Sequence, residues 1–229
     1  MKIVVVGLGY VGLSNAILLA QNNEVIGVDI SKKRVDAINA RKSPIVDLEV
    51  SEYLAEKELN LSASTDLKAS VSNANYVIVS TPTNYNEKNN FFDTSSVETI
   101  IAKVIVYEPS ACIVIKSTIP VGFTGDLSER LETDAVIFSP EFLREGLALH
   151  DNLYPSRIII GEKSKRAEIF AQLLAKAAIK ENIDLLFTNA REAEAIKLFS
   201  NTFLAMRVAF FNELDSYALA GKMDSRAII

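Results

Sequence analysis

The sequence contains very little cysteine, no tryptophan and no long apolar segment. Cys112 is the only cysteine among 229 residues, so the chain can form neither an internal disulfide nor a zinc cluster, and we expect no bound metal. No apolar run approaches the roughly 20 residues that span a bilayer, and no small-residue cleavage site follows the short apolar start. These absences predict a soluble, cytoplasmic protein without a membrane partner.

Basic residues are fewer than acidic residues. The chain has 24 lysines and arginines against 29 aspartates and glutamates, which gives a net charge of −5. A negative net charge argues against general binding to nucleic acid. We therefore expect any anionic ligand to be held by local lysines, arginines and backbone N–H groups.

A glycine-rich stretch near the start of the chain carries the first positive signal. Residues 3–6 form a β-branched run that is typical of a strand buried on both faces, and a helical pattern covers residues 13–21. Between them, Gly7, Gly9 and Gly12 have the G-x-G-x-x-G spacing of a dinucleotide-binding turn. Gly7 would permit the turn, Gly9 would admit a pyrophosphate, and Gly12 would let the helix pack closely.

An acidic residue lies where such a fold contacts the adenosine ribose. Residues 24–28 read as the second parallel strand, and Asp29 ends it. Because this carboxylate would repel a 2′-phosphate, it favours NAD over NADP. Lys32, Lys33 and Arg34 weaken the preference, since they could pair with a phosphate. The alternative is a glycine turn in another α/β protein, with Asp29 capping the next helix.

Strand and helix patterns alternate through about residue 189. Residues 32–40 read as a helix with Ser31 as its N-cap, and residues 157–160 and 184–187 read as strands that flank a helix over 165–178. They predict an α/β fold with a doubly wound, mostly parallel sheet of roughly six to eight strands, a Rossmann-like NAD-binding domain over residues 1–189. Residues 190–229 are dominated by one helix over about 192–220, with apolar residues on more than one face. Such a helix usually links domains or subunits, so we expect a homodimer through it. Because the chain ends eight residues after Gly221, we also expect a carboxyl-terminal substrate domain to be absent.

Three loops rich in Ser, Thr and Pro follow predicted strands, at residues 80–85, 116–122 and 139–146. Ligands of open α/β sheets bind outside the carboxyl ends of the strands. Each loop alone could be a proline turn with a helix cap, but three converging loops favour a site. On the long helix, Lys197 and Asn201 share one face. Two interpretations of this pair are open: a solvated polar patch in which Lys197 pairs with Glu194, or a cation and an amide that point into the cleft. The spacing alone favours the solvated patch.

Taken together, these motifs resemble the UDP-glucose/GDP-mannose dehydrogenase family over essentially the whole chain. The resemblance is carried by residues 7–13, 80–85, 116–122, 139–145 and 194–201. Members of the family oxidise a sugar primary alcohol to a carboxylate and reduce two NAD molecules. The resemblance therefore implies NAD as cofactor and a sugar nucleotide as substrate, UDP-glucose ahead of GDP-mannose or UDP-N-acetylmannosamine.

The resemblance also implies roles for particular residues. Thr118 would position the hydrolytic water, a buried Glu145 would act as general acid/base, and Lys197 and Asn201 would stabilise the developing oxyanion. The implied cofactor contacts are Gly7, Gly9, Tyr10, Val11, Gly12, Asp29, Arg34, Thr81, Pro82, Thr83, Thr118 and Glu145. The implied substrate contacts are Glu141, Phe142, Leu143, Arg144, Glu145, Lys197 and Asn201.

One part of the family's chemistry has no candidate in this sequence. The family uses a cysteine nucleophile in a glycine-rich loop beyond the long helix, whereas Cys112 lies in a predicted buried strand at residues 111–115, where a thiol is usually inert. We therefore expect this chain alone to bind NAD without turnover. Two alternatives remain: a non-catalytic NAD-binding or dimerisation module, and a hydroxy-acid dehydrogenase, against which residues 141–145 argue. His150 receives no role.

Overall fold

The computed structural model describes residues 1–86 and 91–229. Its strands are β1 (Lys2–Val6), β2 (Glu24–Val28), β3 (Leu61–Ser64), β4 (Tyr76–Val79), β5 (Asn84–Asn86), β6 (Phe91–Asp93), β7 (Cys112–Ile115), β8 (Val136–Phe138), β9 (Arg157–Ile160) and β10 (Asp184–Phe187). Its helices are α1 (Tyr10–Ala20), α2 (Lys32–Asn39), α3 (Leu48–Glu56), α4 (Leu67–Val71), α5 (Ser95–Tyr107), α6 (Phe123–Arg130), α7 (Ala148–Leu153), α8 (Lys165–Ala177), α9 (Ala190–Ala220) and α10 (Ser225–Ile228).

Six strands form one parallel sheet in the order β3-β2-β1-β4-β7-β8. The chain runs outward from β1 to β3 and then returns to β4 on the other side of β1. This reversal opens a crevice between the carboxyl ends of β1 and β4, which is where doubly wound folds bind ligands. The predicted α/β fold with a mostly parallel sheet is confirmed.

The last two predicted strands do not join this sheet. β9 and β10 have the predicted bounds but pair in parallel with each other, as a separate two-stranded sheet. A hydrogen bond of 2.7 Å from the Gly161 N–H to the Phe138 carbonyl links the end of β9 to the end of β8. β8 has only three residues and is followed closely by Pro140, which cannot donate to a strand ladder.

The core lies on both faces of the six-stranded sheet because the central strands are buried throughout. Alternate residues of β1, β4 and β7 supply the two layers: Val5, Ile78 and Val114 pack in one cluster with α1 and α8, and Val4, Val77 and Ile113 pack in the other with α5. This two-sided burial explains the unbroken apolar runs that identify these strands in the sequence.

Several elements lie where the sequence predicts them, and others were not predicted. Ser31 caps α2 as expected, accepting a hydrogen bond of 3.4 Å from the Arg34 N–H. The short helix α7 and the antiparallel pair β5–β6 are additional elements. Within the described ranges, no helix combines the length and apolarity needed to cross a bilayer.

The long helix is present and begins two residues earlier than predicted, with Asn189 as its N-cap and Gly221 at its end. Its first turns pack on the sheet, where Ala193 is fully buried. Its later turns expose large apolar side chains, including Phe199, Phe203 and Phe210. The helix therefore belongs to the sheet at one end and projects from it at the other.

Candidate active site

The three glycines of the first loop differ in what surrounds them. Gly7 has a φ of +91°, and a Cβ there would lie 2.6 Å from the Ser80 carbonyl oxygen. A Cβ on Gly12 would lie 1.7 Å from the Gly7 carbonyl oxygen. A Cβ on Gly9, in contrast, would meet nothing within 4 Å. Gly7 and Gly12 are thus required by the fold, whereas Gly9 faces open space at the start of α1.

This open space suits a phosphate group. Gly9 is the N-cap of α1 and offers no side-chain acceptor to the first N–H groups of the helix. Those N–H groups and the positive end of the helix dipole therefore face the space beside Gly9, with Tyr10 and Val11 in the first turn. The residues present fit a dinucleotide at this point of the structure.

Asp29 holds the same loop from the end of β2. Its side chain is buried, and Oδ2 accepts a hydrogen bond of 2.9 Å from the Leu8 N–H while Oδ1 accepts one of 2.8 Å from the Ser31 N–H. The Arg34 guanidinium lies 3.4 Å from Oδ2 and is partly exposed. Asp29 therefore fixes the glycine loop and the start of α2, and Arg34 is already held by its carboxylate.

The loops after β4 and β7 are hydrogen-bonded to each other. The Ser117 hydroxyl donates to the Thr81 carbonyl at 2.6 Å, and the Ser96 hydroxyl donates to the Pro82 carbonyl at 2.8 Å. Thr83 and Thr118 are half-buried beside them. The Ser117 contact joins the 80–85 and 116–122 loops at the edge of the sheet that carries the glycine loop, and the Ser96 contact ties the 80–85 loop to the start of α5.

Glu141 connects the remaining loop to both neighbours. Its Oε2 lies 3.0 Å from the Lys116 ammonium and accepts a hydrogen bond of 2.9 Å from the Asn15 amide of α1. The Lys116 side chain is only 3 % exposed, and its ammonium also lies 3.3 Å from the Ser139 hydroxyl. The carboxylate of Glu141 is therefore the counter-ion of a buried lysine.

Lys197 reaches the same residue from the long helix. Its ammonium donates a hydrogen bond to the Glu141 backbone carbonyl and lies 5.4 Å from the centre of the Phe142 ring. The predicted pairing with Glu194 is wrong, because Glu194 is bound to Gly122 and Thr124 instead. Burial lowers the pKa of Lys197, helped by the charge of Lys116 and opposed by that of Glu141.

The segment after Glu141 passes from half-buried to exposed residues. Phe142 is half-buried, with the Arg157 guanidinium 5.1 Å from its ring centre, and Leu143 is also half-buried. Arg144 forms a two-pronged ion pair with Asp151, at 2.6 and 3.1 Å. Glu145 is exposed, so the expectation of a buried general acid/base is wrong in this structure; it lies in a turn with Gly146, whose φ is +82°.

Asn201 and His150, which the sequence analysis also named, lie in different surroundings. Asn201 is exposed, one turn beyond Lys197 on α9. His150 has a partner that the sequence did not reveal, because its Nδ1 lies 2.8 Å from Glu49 Oε1. The nearby Asp47 carboxylate accepts hydrogen bonds from Val50 at the start of α3 and from Ala148 at the start of α7. Asp47 thereby anchors the start of α7, which directly follows the 139–146 loop.

Sequence reasoning missed Asn15 and Asp47, and it included Ser139 and Glu194 in its motifs without predicting the contacts that they make. Asn15 and Ser14 were visible as polar residues in an otherwise apolar helix, which is a signal for a buried hydrogen-bonding role. Nothing local marks Glu194, because its partners lie 70 and 72 residues earlier.

Cys112 lies in β7 and is buried, as predicted. Burial raises the pKa of its thiol to about 12. At neutral pH the thiol is therefore protonated and enclosed, which excludes it as a nucleophile in the folded chain.

The doubly wound sheet, the glycine loop at its switch point and the acid at the end of β2 define the dinucleotide-binding class of Rossmann-type dehydrogenase domains. Residues 1–179 match the NAD-binding domain of the UDP-glucose/GDP-mannose dehydrogenase family, and residues 191–229 match the central domain of that family. The chain belongs to the UDP-glucose/GDP-mannose dehydrogenase family, and the resemblance and the NAD prediction are confirmed.

Curated relatives support this membership. The chain is 52% identical to a UDP-glucose 6-dehydrogenase of Streptococcus pneumoniae, over all of this chain and 60% of the relative. It is 46% identical to a UDP-glucose 6-dehydrogenase of Campylobacter jejuni, over all of this chain and 59% of the relative. The chain thus spans less than two thirds of the length of these relatives.

Solved structures of similar proteins share the fold. A ternary complex of GDP-mannose dehydrogenase from Pseudomonas aeruginosa matches with a TM-score of 0.87 and 30% identity, over all of this chain and 55% of that one. UDP-D-ManNAc dehydrogenase from Pyrococcus horikoshii matches with a TM-score of 0.88 and 27% identity, over all of this chain and 56% of that one.

The glycine geometry predicts opposite outcomes for two similar substitutions. Gly9→Ala should lower the free energy of unfolding by no more than about 1 kcal/mol, the cost of alanine at an N-cap, because its Cβ enters open space. It should weaken NAD binding by about tenfold or more by occupying the phosphate position. Gly12→Ala should lower the free energy of unfolding by about 3 kcal/mol through overpacking against Gly7. Denaturant unfolding and calorimetric titration with NAD measure the two effects; undiminished NAD affinity in Gly9→Ala would contradict the phosphate assignment.

Proposed function

We propose that this chain is the cofactor-binding and central part of an NAD-dependent enzyme that oxidises the 6-hydroxyl of UDP-glucose, in two steps, to the carboxylate of UDP-glucuronate. The observation that carries the proposal is the meeting at Glu141, where Asn15 of the cofactor-loop helix, Lys116 of the β7 loop and Lys197 of α9 bind one residue. The two UDP-glucose 6-dehydrogenase relatives at 52% and 46% identity favour UDP-glucose. In this proposal residues 1–189 bind NAD and residues 190–229 link domains or subunits.

The cofactor would lie along the carboxyl ends of β1, β4 and β7. Gly7, Gly9, Tyr10, Val11 and Gly12 would hold its pyrophosphate through backbone N–H groups. The Asp29 carboxylate would accept hydrogen bonds from the ribose and repel a 2′-phosphate, with Arg34 beside it. The remaining proposed cofactor contacts are Thr81, Pro82, Thr83, Thr118 and Glu145. When bound, NAD supplies the hydride acceptor for both oxidations.

The sugar nucleotide would lie between the 139–146 loop and α9. Phe142, Leu143 and Arg144 would bind it, partly through backbone groups, while Glu141 holds the loop in place. The Lys197 ammonium and the Asn201 amide share a face of α9 and would stabilise negative charge that develops on the sugar oxygen. Thr118 would position the hydrolytic water. Glu145, which is solvent-accessible, would exchange protons with that water.

The second oxidation needs a thiol nucleophile that holds the aldehyde carbon as a covalent adduct. Cys112 cannot supply it, because it is buried in β7 with its pKa raised to about 12. We therefore propose that the 229-residue chain alone binds NAD without sustained turnover. The alternative is that the chain is a non-catalytic NAD-binding or dimerisation module. Both hypotheses predict no turnover by the 229-residue chain, but only the dehydrogenase hypothesis predicts turnover by the complete gene product.

Two linked measurements test the proposal. Calorimetric titration of the 229-residue chain should show tighter binding of NAD than of NADP, and its incubation with UDP-glucose and NAD should show no sustained rise in reduced-cofactor absorbance. The complete gene product should reduce two NAD per UDP-glucose and act less efficiently on GDP-mannose and UDP-N-acetylmannosamine. If none of the three sugar nucleotides supports reduction of NAD, the proposed dehydrogenase activity is refuted. If the 229-residue chain turns over and the Cys112→Ser substitution abolishes that turnover, Cys112 is the nucleophile.

The later turns of α9 support a proposal about assembly. Phe199, Phe203 and Phe210 are 69, 61 and 64% exposed, and a run of exposed aromatic side chains on one helix is typical of a protein interface. We propose that α9 forms a homodimer in solution. Sedimentation of the chain should show a dimer or concentration-dependent association, which Phe203→Glu together with Phe210→Glu should weaken. A strict monomer at high concentration would contradict the proposal.

A further inference from the structure

Glu194 is a buried acid without a cationic partner among the described residues. It is 1 % exposed, in the second turn of α9. Its Oε2 accepts a hydrogen bond of 2.5 Å from the Gly122 N–H, and its Oε1 accepts one of 2.8 Å from the Thr124 N–H and one of 2.6 Å from the Thr124 hydroxyl. Three donors thus compensate the burial of the charge.

These donors belong to the start of α6, which has no cap of its own. The N-cap residue is Gly122, with a φ of +97° and no side chain to accept a hydrogen bond. The Glu194 carboxylate takes that place from a distant helix, and its negative charge is favourable at the positive end of the α6 dipole. Because α6 directly follows the 116–122 loop, this contact ties α9 to the loop that contains Thr118.

A second contact fixes how closely α9 approaches the sheet. A Cβ on Gly161 would lie 2.9 Å from Ala190 Cα and 3.1 Å from Ala193 Cβ, so the helix packs at a distance that only small residues allow. Small residues set distance and leave rotation about the helix axis undetermined. The directional hydrogen bonds of the short, fully buried Glu194 side chain constrain that rotation, and the longer Lys197 side chain adds its hydrogen bond to the Glu141 carbonyl.

The rotation of α9 matters because the helix also carries two candidate site residues. Lys197 and Asn201 lie three and seven residues beyond Glu194, so the three side chains share one face of α9. A rotation that breaks the Glu194 contacts would also turn Lys197 away from the Glu141 carbonyl to which it donates.

We propose that Glu194 is a positioning residue, whose carboxylate fixes the rotation of α9 against the 116–122 loop so that Lys197 and Asn201 face Thr118 and Glu141. The consequence for catalysis rests on the proposed function of Lys197 and Asn201. The positional claim itself rests on the contacts of Glu194 alone.

The positional claim is tested without activity. Spin labels at Glu129→Cys on α6 and Thr202→Cys on α9, in a Cys112→Ala background diluted with unlabelled chain, report the distance between the two helices. Glu194→Gln replaces one of the two accepting oxygens by an N–H₂ group, so either Gly122 or Thr124 loses its acceptor and the single narrow distance distribution should broaden or shift. Glu192→Gln, an exposed neighbour on the same helix, is the matched control and should leave it unchanged.

Amide hydrogen exchange shows whether the hydrogen bonds between Glu194 and the start of α6 have opened. Thr124→Val removes only the hydroxyl donor and serves as a milder variant in case Glu194→Gln unfolds. The N–H groups of Gly122 and Thr124 should exchange at least about tenfold faster in Glu194→Gln than in the wild-type chain. In Thr124→Val the distance distribution should broaden less. An unchanged distribution in both folded variants would overturn the proposal.

The catalytic consequence is measured on the complete gene product with UDP-glucose and NAD. Glu194→Gln should lower kcat by about tenfold or more. The KM for NAD should change by less than about threefold, because Thr118 is the one proposed cofactor contact in the loop that Glu194 holds. Glu192→Gln should change neither value. Unchanged kcat in a folded Glu194→Gln protein would overturn the role of Glu194 in positioning Lys197. If the wild-type protein is inactive on every sugar nucleotide, the proposed function is refuted. The spin-label result then still decides whether Glu194 fixes the position of α9.

Discussion

The arrangement of this site depends on one buried charge. The Lys116 ammonium is enclosed at the end of β7 and needs a counter-ion, which is the Glu141 carboxylate at 3.0 Å. This requirement brings the loop after β8 against the loop after β7. Asn15 then ties the same carboxylate to α1, and Lys197 binds the backbone of the same residue. Four segments that are distant in sequence thus meet at one residue because a lysine is buried there.

In the proposed function, the segments that would bind the cofactor and those that would bind the substrate are joined by these contacts. The helix that begins at the glycine loop, the Thr118 loop and the 139–146 loop are hydrogen-bonded through Asn15, Lys116 and Glu141, while Glu194 holds α9 to the start of α6. The proposed chemistry needs Lys197 and Asn201 at a fixed distance from the cofactor, since donors stabilise an oxyanion only when they are held in place beforehand. The hydrogen bonds that hold Lys197 to Glu141 and Glu194 to the start of α6 meet that need.

Much of the fold follows from local sequence patterns, because strands buried on both faces and a glycine-spaced turn leave clear signals. The bounds of β2, β9 and β10 are the predicted ones, and the long helix differs by two residues at its start. The partners of Lys197 and Glu194 could not be predicted, since they lie 56 and about 70 residues away and depend on how helices pack. The expected burial of Glu145 failed for a related reason: a turn residue's exposure is set by what packs over it, which no local pattern records.

The Lys116–Glu141 ion pair holds the loops of the site together, and a double-mutant cycle on the 229-residue chain measures its contribution to stability. Lys116→Met and Glu141→Leu should each lower the free energy of unfolding by about 3–5 kcal/mol, because each leaves a buried charge without its partner. The double variant should be less destabilised than the sum of the two by at least about 2 kcal/mol, since no buried charge is left unpaired. Additive effects in the denaturant unfolding curves would contradict the claim that this pair organises the site.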